Sequence, residues 1–472
     1  MWTIALVMAC GSEVTDKPTP PDIPAPTGTT PPVTTPEPAP TDPTSTPTTP
    51  VDLGALDFVD GDMPSNLLVI SLDTTRRDHI GRFSGTGLTP NLDRILSESV
   101  ALDDHHSCSS WTAPSMTCVV TGRTQMEHGF ATWNDDDKVP NYPNDQFVKD
   151  TLPTQMSDLG KETLLITANR VFGPWSTRVA VGFDTAINVD SQPAADVAAT
   201  AMKEIPPLMA RGDWYAHVHF MDPHGSYCAP EEYVELDLLQ GAGLSADDWC
   251  ADTYGPGYSY GYLEPAAQAA MLSAYLALYD GEIAYWDEQF GIFWEQLDTV
   301  GALDDTLVVF VTDHGQQFFE RGQHGHGIYL GAEENRSTAA FWAENLTPRA
   351  WSEPTIHQDV NATINAVFGI TPVEERSGLV VGTAPPERPL RIINFWGGGS
   401  PVELGVIRDR EQLNYDYFGN RALFRMDDDP TGTVDVYDAA DPDVVALWTE
   451  MDAWIAEVGA QWPHLKPTAP GP

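Results

Sequence analysis

The chain has 472 residues, 42% of them hydrophobic, which is enough to bury one large core or two ordinary ones and excludes wholesale disorder. Its 69 acidic and 24 basic residues give a formal net charge of −45. Because such a surface repels polyanions, the composition argues against nucleic acid as a partner and is typical of an extracellular or salt-adapted protein.

The N-terminal sequence predicts export. Residues 1–10, "MWTIALVMAC", form a short apolar run that ends at Cys10, as in a bacterial lipoprotein signal, although no Lys or Arg precedes the run. Lipidation of Cys10 would tether the mature protein to a membrane, in the periplasm or at the cell surface. No later stretch reaches the roughly 20 apolar residues of a membrane span, so the tether is the predicted membrane contact.

Residues 11–60 predict a disordered stalk between this anchor and a globular body. Residues 18–50 alone hold 13 prolines and 11 threonines. Such a segment cannot pack a core and is expected to be extended and semi-rigid.

Four further cysteines favour two disulfides in an exported protein. The predicted pairs are Cys228–Cys250, within a loop-rich segment, and Cys108–Cys118. A free buried thiol at Cys118 is an equal alternative to the second pair.

The globular body opens near Pro64 and alternates buried strands with amphipathic helices. Four stretches have the pattern of buried strands: "NLLVISLD", "LLITAN", "WYAHVHFMD" and "TLVVFVTDHG". Helical patterns occupy residues 151–160, 193–205 and 269–300, and a further helix is predicted to begin after "LTP" near residue 90. This alternation predicts an α/β sandwich with a mostly parallel central sheet flanked by helices. The catalytic domain is assigned to residues 64–387, with an insertion or lid at 228–262.

A smaller C-terminal subdomain is predicted for residues 388–472. The stretches "RPLRIINFWGG", "ELGVIRD" and "ALFRMD" read as short antiparallel strands, and residues 443–458 as an amphipathic helix.

Polar residues suited to a hard metal ion lie at the ends of the predicted parallel strands, where ligands collect in α/β folds. Asp73, Asp313 and His314 supply two carboxylates and an imidazole, and the Thr112 hydroxyl adds a fourth donor. This set predicts one divalent ion such as Zn²⁺, Mn²⁺ or Ca²⁺. A bound metal would lower the pKa of the hydroxyl and make Thr112 a nucleophile at neutral pH.

Thr112 has a simpler interpretation as well. It stands two residues before Pro114, and a threonine there is usually only the N-cap of a helix. The same position would place an attacking alkoxide and an incoming anion at the positive end of the helix dipole.

Six of the 12 histidines fall in two short windows at strand ends. They are His217, His219, His224, His314, His324 and His326. Histidines beside a metal can hold a transferred oxygen or protonate a leaving group, and a second ion held by Asp222 with the histidines is a weaker alternative.

Taken together, these stretches resemble the sulfatase-like branch of the alkaline phosphatase superfamily. The resemblance is carried by "NLLVISLDTTRRDHIG", "WTAPSMTCVVTGR", "HFMDPHGSY", "DTLVVFVTDHG" and, near the end, "VDVYDAADPD". It spans roughly residues 64–445 and implies an α/β sandwich with a metal-centred site and a small C-terminal subdomain.

The resemblance also implies roles for individual residues. Asp73, Asp313 and His314 match metal ligands of the family, and Thr112 falls on the nucleophile, itself a ligand. A further set matches positions that contact the transferred group or the leaving group. These are His224 and His326, with His219 beside them as a third substrate-binding candidate.

The departures from the family pattern are informative. Sulfatases use a Cys or Ser converted to formylglycine, and threonine is not a substrate for that conversion. Met116 stands where an arginine is expected, Thr74 where many sulfatases have a second metal-binding Asp, and the usual lysines are absent. A threonine nucleophile is instead similar to phosphodiesterases and phosphoethanolamine transferases.

The sequence therefore predicts a metal-dependent hydrolase of phosphate mono- or diesters, or a phosphotransferase, acting on a small-molecule, lipid or glycan ester. Two alternatives remain open: a sulfatase that works without formylglycine, and a catalytically silent binding lipoprotein that keeps the fold.

Overall fold

The computed structural model describes residues 52–129, 150–173, 181–244 and 261–461, apart from short gaps at 262, 323, 328, 373–375, 386, 396–401, 417 and 430. Cys10, most of the predicted stalk, Cys250 and much of the predicted insertion therefore lie outside the described residues. Within residues 53–58, which the sequence assigns to the stalk, Ala55, Leu56 and Phe58 are buried in the same hydrophobic cluster as Leu67 and Val69. The globular body thus already includes residues before Pro64.

Within the described residues, a central sheet has nine strands. They are β1 (Asn66–Leu72), β2 (Val100–His106), β3 (Glu162–Thr167), β4 (Thr185–Asn188), β5 (Trp214–Phe220), β6 (Thr306–Thr312), β9 (Arg336–Trp342), β10 (Arg349–Trp351) and β11 (Thr355–Ile356); β7 (Gln317–Phe318) and β8 (His324–Gly325) form a separate hairpin. The order is β10-β2-β9-β6-β1-β5-β3-β4, with β11 also paired to β2.

All pairings in the central sheet are parallel except those of β9, which runs antiparallel to β2 and β6. This confirms the predicted mostly parallel sheet. Strands β1, β5 and β6 are almost wholly buried, because helices cover both faces, and their sequences are accordingly continuous apolar runs.

Helices flank the sheet on both sides. They are α1 (Gly81–Ser84), α2 (Pro90–Ser97), α3 (Thr112–Thr121), α4 (Gln125–His128), α5 (Leu152–Asp158), α6 (Ala194–Met209), α7 (Leu236–Gly241), α8 (Pro265–Thr299), α9 (Ala332–Asn335), α10 (His357–Val367) and α11 (Pro442–Gln461), with 3-10 turns at Val59–Gly61, Arg77–His79 and Glu231–Tyr233. Helices α2, α6 and α8 pack in one core and α3, α5 and α10 in a second. The predicted sandwich is confirmed.

The C-terminal part forms a four-stranded antiparallel sheet, as predicted, with one strand that the sequence analysis missed. The order is β12 (Leu390–Phe395), β13 (Val402–Arg408), β14 (Glu411–Asp416) and β15 (Arg421–Arg425). Helix α11 packs on this sheet through Leu447, Trp448 and Met451. The missed strand, β14, reads "EQLNYD" and carries too few apolar residues to be recognised by pattern alone.

Two further findings concern the chain as a whole. Cys108 and Cys118 form a disulfide, which settles the alternative of a free thiol at Cys118. Among the described residues, no helix has the length and apolar character that crossing a bilayer requires.

Candidate active site and metal centre

Three of the predicted metal ligands meet at the carboxyl ends of adjacent strands. Asp73 follows β1, and Asp313 and His314 follow β6, whose last residue lies in register with the last residue of β1. Their candidate ligand atoms all lie within 4.8 Å of one another, and the three side chains are fully buried. Parallel pairing is what makes residues 240 positions apart in sequence neighbours in space.

Thr112 reaches the same point from helix α3. Its Oγ1 lies 3.4 Å from Asp73 Oδ2 and 3.4 Å from His314 Nε2. Thr112 is the first residue of α3, and Trp111, with an extended backbone, occupies the N-cap. The sequence analysis placed Thr112 at the N-cap itself; the helix begins one residue earlier, so the hydroxyl does not cap it and is available to the acidic corner.

The loop before α3 is braced from several sides. The Cys108–Cys118 disulfide joins it to the second turn of the helix. The hydroxyls of Ser107 and Ser115 both donate to the carbonyl of Ser109, at 2.7 and 2.8 Å. These contacts fix the backbone on either side of Thr112.

The two carboxylates of the corner respond oppositely to their surroundings. Burial alone would raise the pKa of Asp73, but the hydrogen bond from His219 and the neighbouring imidazoles hold it well below its ordinary value. Burial and the adjacent Asp73 raise the pKa of Asp313 well above its ordinary value. Without a cation the pair therefore holds a proton, because two buried like charges repel each other.

His314 presents one nitrogen to this corner. Its Nδ1 lies 2.8 Å from the carbonyl oxygen of Gly315, which accepts a hydrogen bond and so places the proton on Nδ1. The lone pair of Nε2 then faces Asp313 Oδ2 at 3.4 Å and Thr112. Burial lowers the pKa of His314 to about 4, which keeps the ring neutral, as a metal ligand must be.

These residues fit a metal ion. Asp313 Oδ2 is buried and has no hydrogen-bond partner among the described residues. No Lys or Arg of the described part of the chain forms an ion pair with Asp73 or Asp313. Two carboxylates, an imidazole with a free lone pair and a hydroxyl form a donor set that divalent ions accept.

His224 and His326 lie next to this corner. The ring of His326 packs against that of His314 with centroids 4.4 Å apart and an angle of 37° between the ring planes. Its Nε2 faces His224 Nε2 at 3.2 Å, while His224 Nδ1 lies 2.7 Å from the Gly225 carbonyl oxygen. Two facing ring nitrogens at this distance share one proton. Burial and the nearby His314 lower the pKa of His326 well below its ordinary value.

His219 takes a different place from the one expected. It is fully buried, and its Nδ1 and Nε2 lie 2.7 Å from Ser71 Oγ and 3.2 Å from Asp73 Oδ2. With both nitrogens engaged, His219 is placed to orient the Asp73 carboxylate. Its contact with substrate stays a prediction.

Asn169 is a site residue that the sequence analysis missed. Its Nδ2 donates to Asp73 Oδ2 at 2.5 Å and lies 3.3 Å from Thr112 Oγ1. Its Oδ1 accepts from the backbone N–H of Val171, which fixes the orientation of the amide. Asn169 lies two residues after β3, so the strand-end rule that identified Asp73 could have found it.

Other predicted features fall outside the corner. Met116 is buried in the core between α3 and the sheet, so the position expected to hold an arginine only packs. The Thr74 hydroxyl donates to Asp73 Oδ1 at 2.5 Å, which makes it a support of that ligand. Asp222, His224, His324 and His326, considered for a second ion, form no metal-ligand cluster among the described residues.

Comparisons with known proteins identify the family of the chain. The sulfatase family model matches residues 65–370. The chain is 26% identical over 267 residues to human N-sulphoglucosamine sulphohydrolase, covering 54% of this chain and 51% of that protein. The chain thus spans about half the length of this relative.

Solved structures share the fold. One, determined in complex with its substrate D-glucosamine-2-N,6-O-disulfate, superposes with a TM-score of 0.63 at 16% identity, covering 86% of this chain and 99% of that one. Phosphonate monoester hydrolase of Agrobacterium radiobacter superposes with a TM-score of 0.63 at 18% identity, covering 84% and 96%. Because the family model matches more than half of its residues, the chain belongs to the sulfatase family.

Proposed function

We propose that the protein is a metal-dependent hydrolase that cleaves phosphate mono- or diesters with Thr112 as the nucleophile. The observation that carries this proposal is the position of Thr112 Oγ1, 3.4 Å from both Asp73 Oδ2 and His314 Nε2, on a residue that cannot become formylglycine. A hydroxyl nucleophile needs no such conversion to attack phosphorus.

The metal would be held by Asp73, Asp313, His314 and Thr112. When bound, a divalent ion lowers the pKa of a coordinated hydroxyl and neutralises charge on a transferred group. The ion is proposed to be Zn²⁺, Mn²⁺ or Ca²⁺, in a single site.

The chain's own residues supply the remaining chemistry. Thr112 Oγ1 passes its proton to Asp73 Oδ2, to which the hydroxyl donates at 3.4 Å, and forms a bond to phosphorus as the bond from phosphorus to the leaving oxygen breaks. The first turn of α3 directs its positive end toward the transferred group, which favours the incoming anion. Asn169 and His219 hold Asp73 in place from two sides.

The proton for the leaving alcohol is assigned to the His224–His326 pair, which shares one proton between facing nitrogens. Water then attacks the phosphothreonine and passes one proton to the same pair as the bond from phosphorus to Thr112 Oγ1 breaks, and Asp73 returns its proton to restore the Thr112 hydroxyl. An acceptor alcohol in place of water would make the protein a phosphotransferase.

A second candidate function is sulfate-ester hydrolysis without formylglycine. It is favoured by the family match over residues 65–370 and by the human sulphohydrolase relative. A silent binding protein is disfavoured, because such a protein has no reason to keep two buried acids without an internal cation. The tether at Cys10 remains a proposal for where the enzyme acts.

The test is turnover of four aryl esters, a phosphate monoester, a phosphate diester, a phosphonate monoester and a sulfate, by the metal-loaded wild type and two variants. We expect phosphodiester or phosphomonoester turnover to fall by at least about 10³-fold in Thr112→Ala and to persist in Thr112→Ser, which keeps the hydroxyl. Turnover that survives Thr112→Ala would exclude Thr112 as nucleophile, and turnover of the sulfate alone would select the second candidate.

A further inference from the structure

A cavity of about 310 Å³ is lined in part by His224 and by none of the four proposed metal ligands. Its lining includes Pro193, Asp222, His224, Cys228, Glu282 and Tyr285. The volume is in the range of sites that hold a small ligand. Because His224 also contacts His326, the cavity adjoins the group that we assign to protonation of the leaving alcohol.

Two buried acids in this lining stand out. Asp222 is 9% exposed and Glu282 5%. Asp222 uses Oδ1 to accept the Ala194 N–H at the start of α6, at 2.7 Å, whereas its Oδ2 is buried with no hydrogen-bond partner among the described residues. Glu282 accepts from the backbone N–H of Cys228. Capping of α6 therefore explains one oxygen of Asp222 and leaves the other without a role.

The described residues that line the cavity include acids but no Lys or Arg. Burial raises the pKa of Asp222 to about 7, and burial together with Asp222 raises the pKa of Glu282 to about 8. The ionised form of such buried acids is stabilised most by a ligand that carries a positive charge and N–H donors. The ring of Tyr285 adds an aromatic face of the kind that cations contact.

We propose that the cavity binds a primary ammonium group, so that the favoured substrates are esters of small amino alcohols or amino sugars. The assignment of this group to the leaving alcohol rests on the proposed function, whereas the ammonium site itself does not. The carboxylate of Asp222 accepts from the ammonium through Oδ2, and Glu282 adds the second negative charge. An anionic leaving group would be repelled by the same pair.

The first test is binding, measured by calorimetry on the full-length protein at pH 8. The probes are two matched pairs whose amines are protonated at pH 8: 2-aminoethanol with ethylene glycol, and 3-amino-1-propanol with 1,3-propanediol. We expect each amine to bind at least about tenfold more tightly than its hydroxyl partner, which is the effect of one charge-assisted hydrogen bond. Equal binding within both pairs would overturn the proposal.

The second test uses variants. Asp222→Asn keeps an oxygen that can cap α6 but removes the charge, and should reduce the amine preference by about tenfold. The matched control is Asp287→Asn, since Asp287 is a buried acid of the same helix as Glu282 that caps α2 through Asn91 and Leu92 instead. It should leave the preference unchanged. An unaltered preference in a folded Asp222→Asn protein would contradict the proposal.

If Asp222→Asn does not fold, Glu282→Gln replaces it, and the wild-type probe pairs decide the matter in any case. The two proposals fail separately. Amine-selective binding without ester turnover would refute the proposed function and leave the ammonium site standing. Thr112-dependent turnover without amine selectivity would refute the ammonium site alone.

Discussion

The metal corner and a second buried cluster on β2 are built from the same residue types but differ in how their charge is balanced. In the second cluster Asp104, 1% exposed, lies 3.4 Å from Arg336 and 3.3 Å from His106, and Arg410 approaches to 3.6 Å. Burial would raise the pKa of Asp104, but His106 and the arginines lower it well below its ordinary value.

The corner of Asp73, Asp313 and His314 has no such internal cation among the described residues. A buried acid that the protein neutralises with its own arginines is structural, whereas a pair of acids without them needs a ligand or a proton. Both clusters contain buried aspartate and histidine, so these residue types do not distinguish a metal site from a structural cluster. The distinguishing feature is whether an arginine of the protein lies beside the buried acid, and substitutions in each cluster test this.

The largest effect is expected for Asp313→Asn. It removes a charged ligand, so bound metal should fall below one ion per chain and ester turnover should fall by about 10³-fold. The metal-free variant should be at least as stable as the metal-free wild type, because one of two facing buried acids is gone. Elemental analysis, turnover and chemical unfolding measure the three effects; a variant that keeps its metal would remove Asp313 from the site.

Asp104→Asn should show the reverse pattern. Removing the acid that faces Arg336 and Arg410 leaves buried positive charge uncompensated, which costs about 3 kcal/mol of the free energy of unfolding. Metal content and turnover per folded molecule should stay at the wild-type level. Loss of metal from this variant would show that the β2 cluster is part of the site and that the comparison is wrong.

Asp222 provides a third buried acid without an internal cation, and it can be tested by pH. Its pKa is about 7 in the folded protein against an ordinary value of 3.8, so the folded state keeps its proton over a range in which the unfolded state has lost it. The contribution of the Asp222 carboxyl to the free energy of unfolding is therefore fully present below pH 3.8 and is lost as the pH rises to about 7.

We expect Asp222→Asn to be less sensitive to pH than the wild type. The difference between their free energies of unfolding at pH 5 and pH 8 should change by about 2 kcal/mol in favour of the variant. Urea unfolding at the two pH values measures it. Parallel pH profiles for the two proteins would mean that the Asp222 carboxyl is not held in its protonated form.

The smallest effect is expected for Asn169→Ala. Asn169 contacts Asp73 and Thr112, so its loss should weaken metal binding or kcat/KM by about tenfold, as for other residues that orient a ligand. The matched control is Asn365→Ala, a buried amide on α10 whose Nδ2 donates to Asn361. That control should affect stability only. Equal kinetic effects of both variants would deny Asn169 a specific role.

Much of the fold was predictable because fully buried strands have predominantly apolar sequences. Predominantly apolar runs such as "NLLVISL" and "TLVVFVT" are typical of strands covered on both faces, and each is followed by an aspartate, Asp73 or Asp313. Strand β14 escaped because four of its six residues are polar, and two of these, Gln412 and Asn414, are buried through hydrogen bonds to the Leu330 carbonyl. The antiparallel strand β9 could not be assigned a direction, since direction is a property of the pairing and not of a strand's own residues.

By itself, the sequence determined which residues of the site are chemically able to act: two acids, an imidazole and a threonine that follow buried strands or open a helix. Tertiary structure alone decided that His219 turns behind Asp73, that Asn169 joins the corner, that Met116 faces the core and that Asp222 lines a cavity. The physical reason is that a side chain's partners come from strands far away in the sequence, and only packing fixes which charges meet.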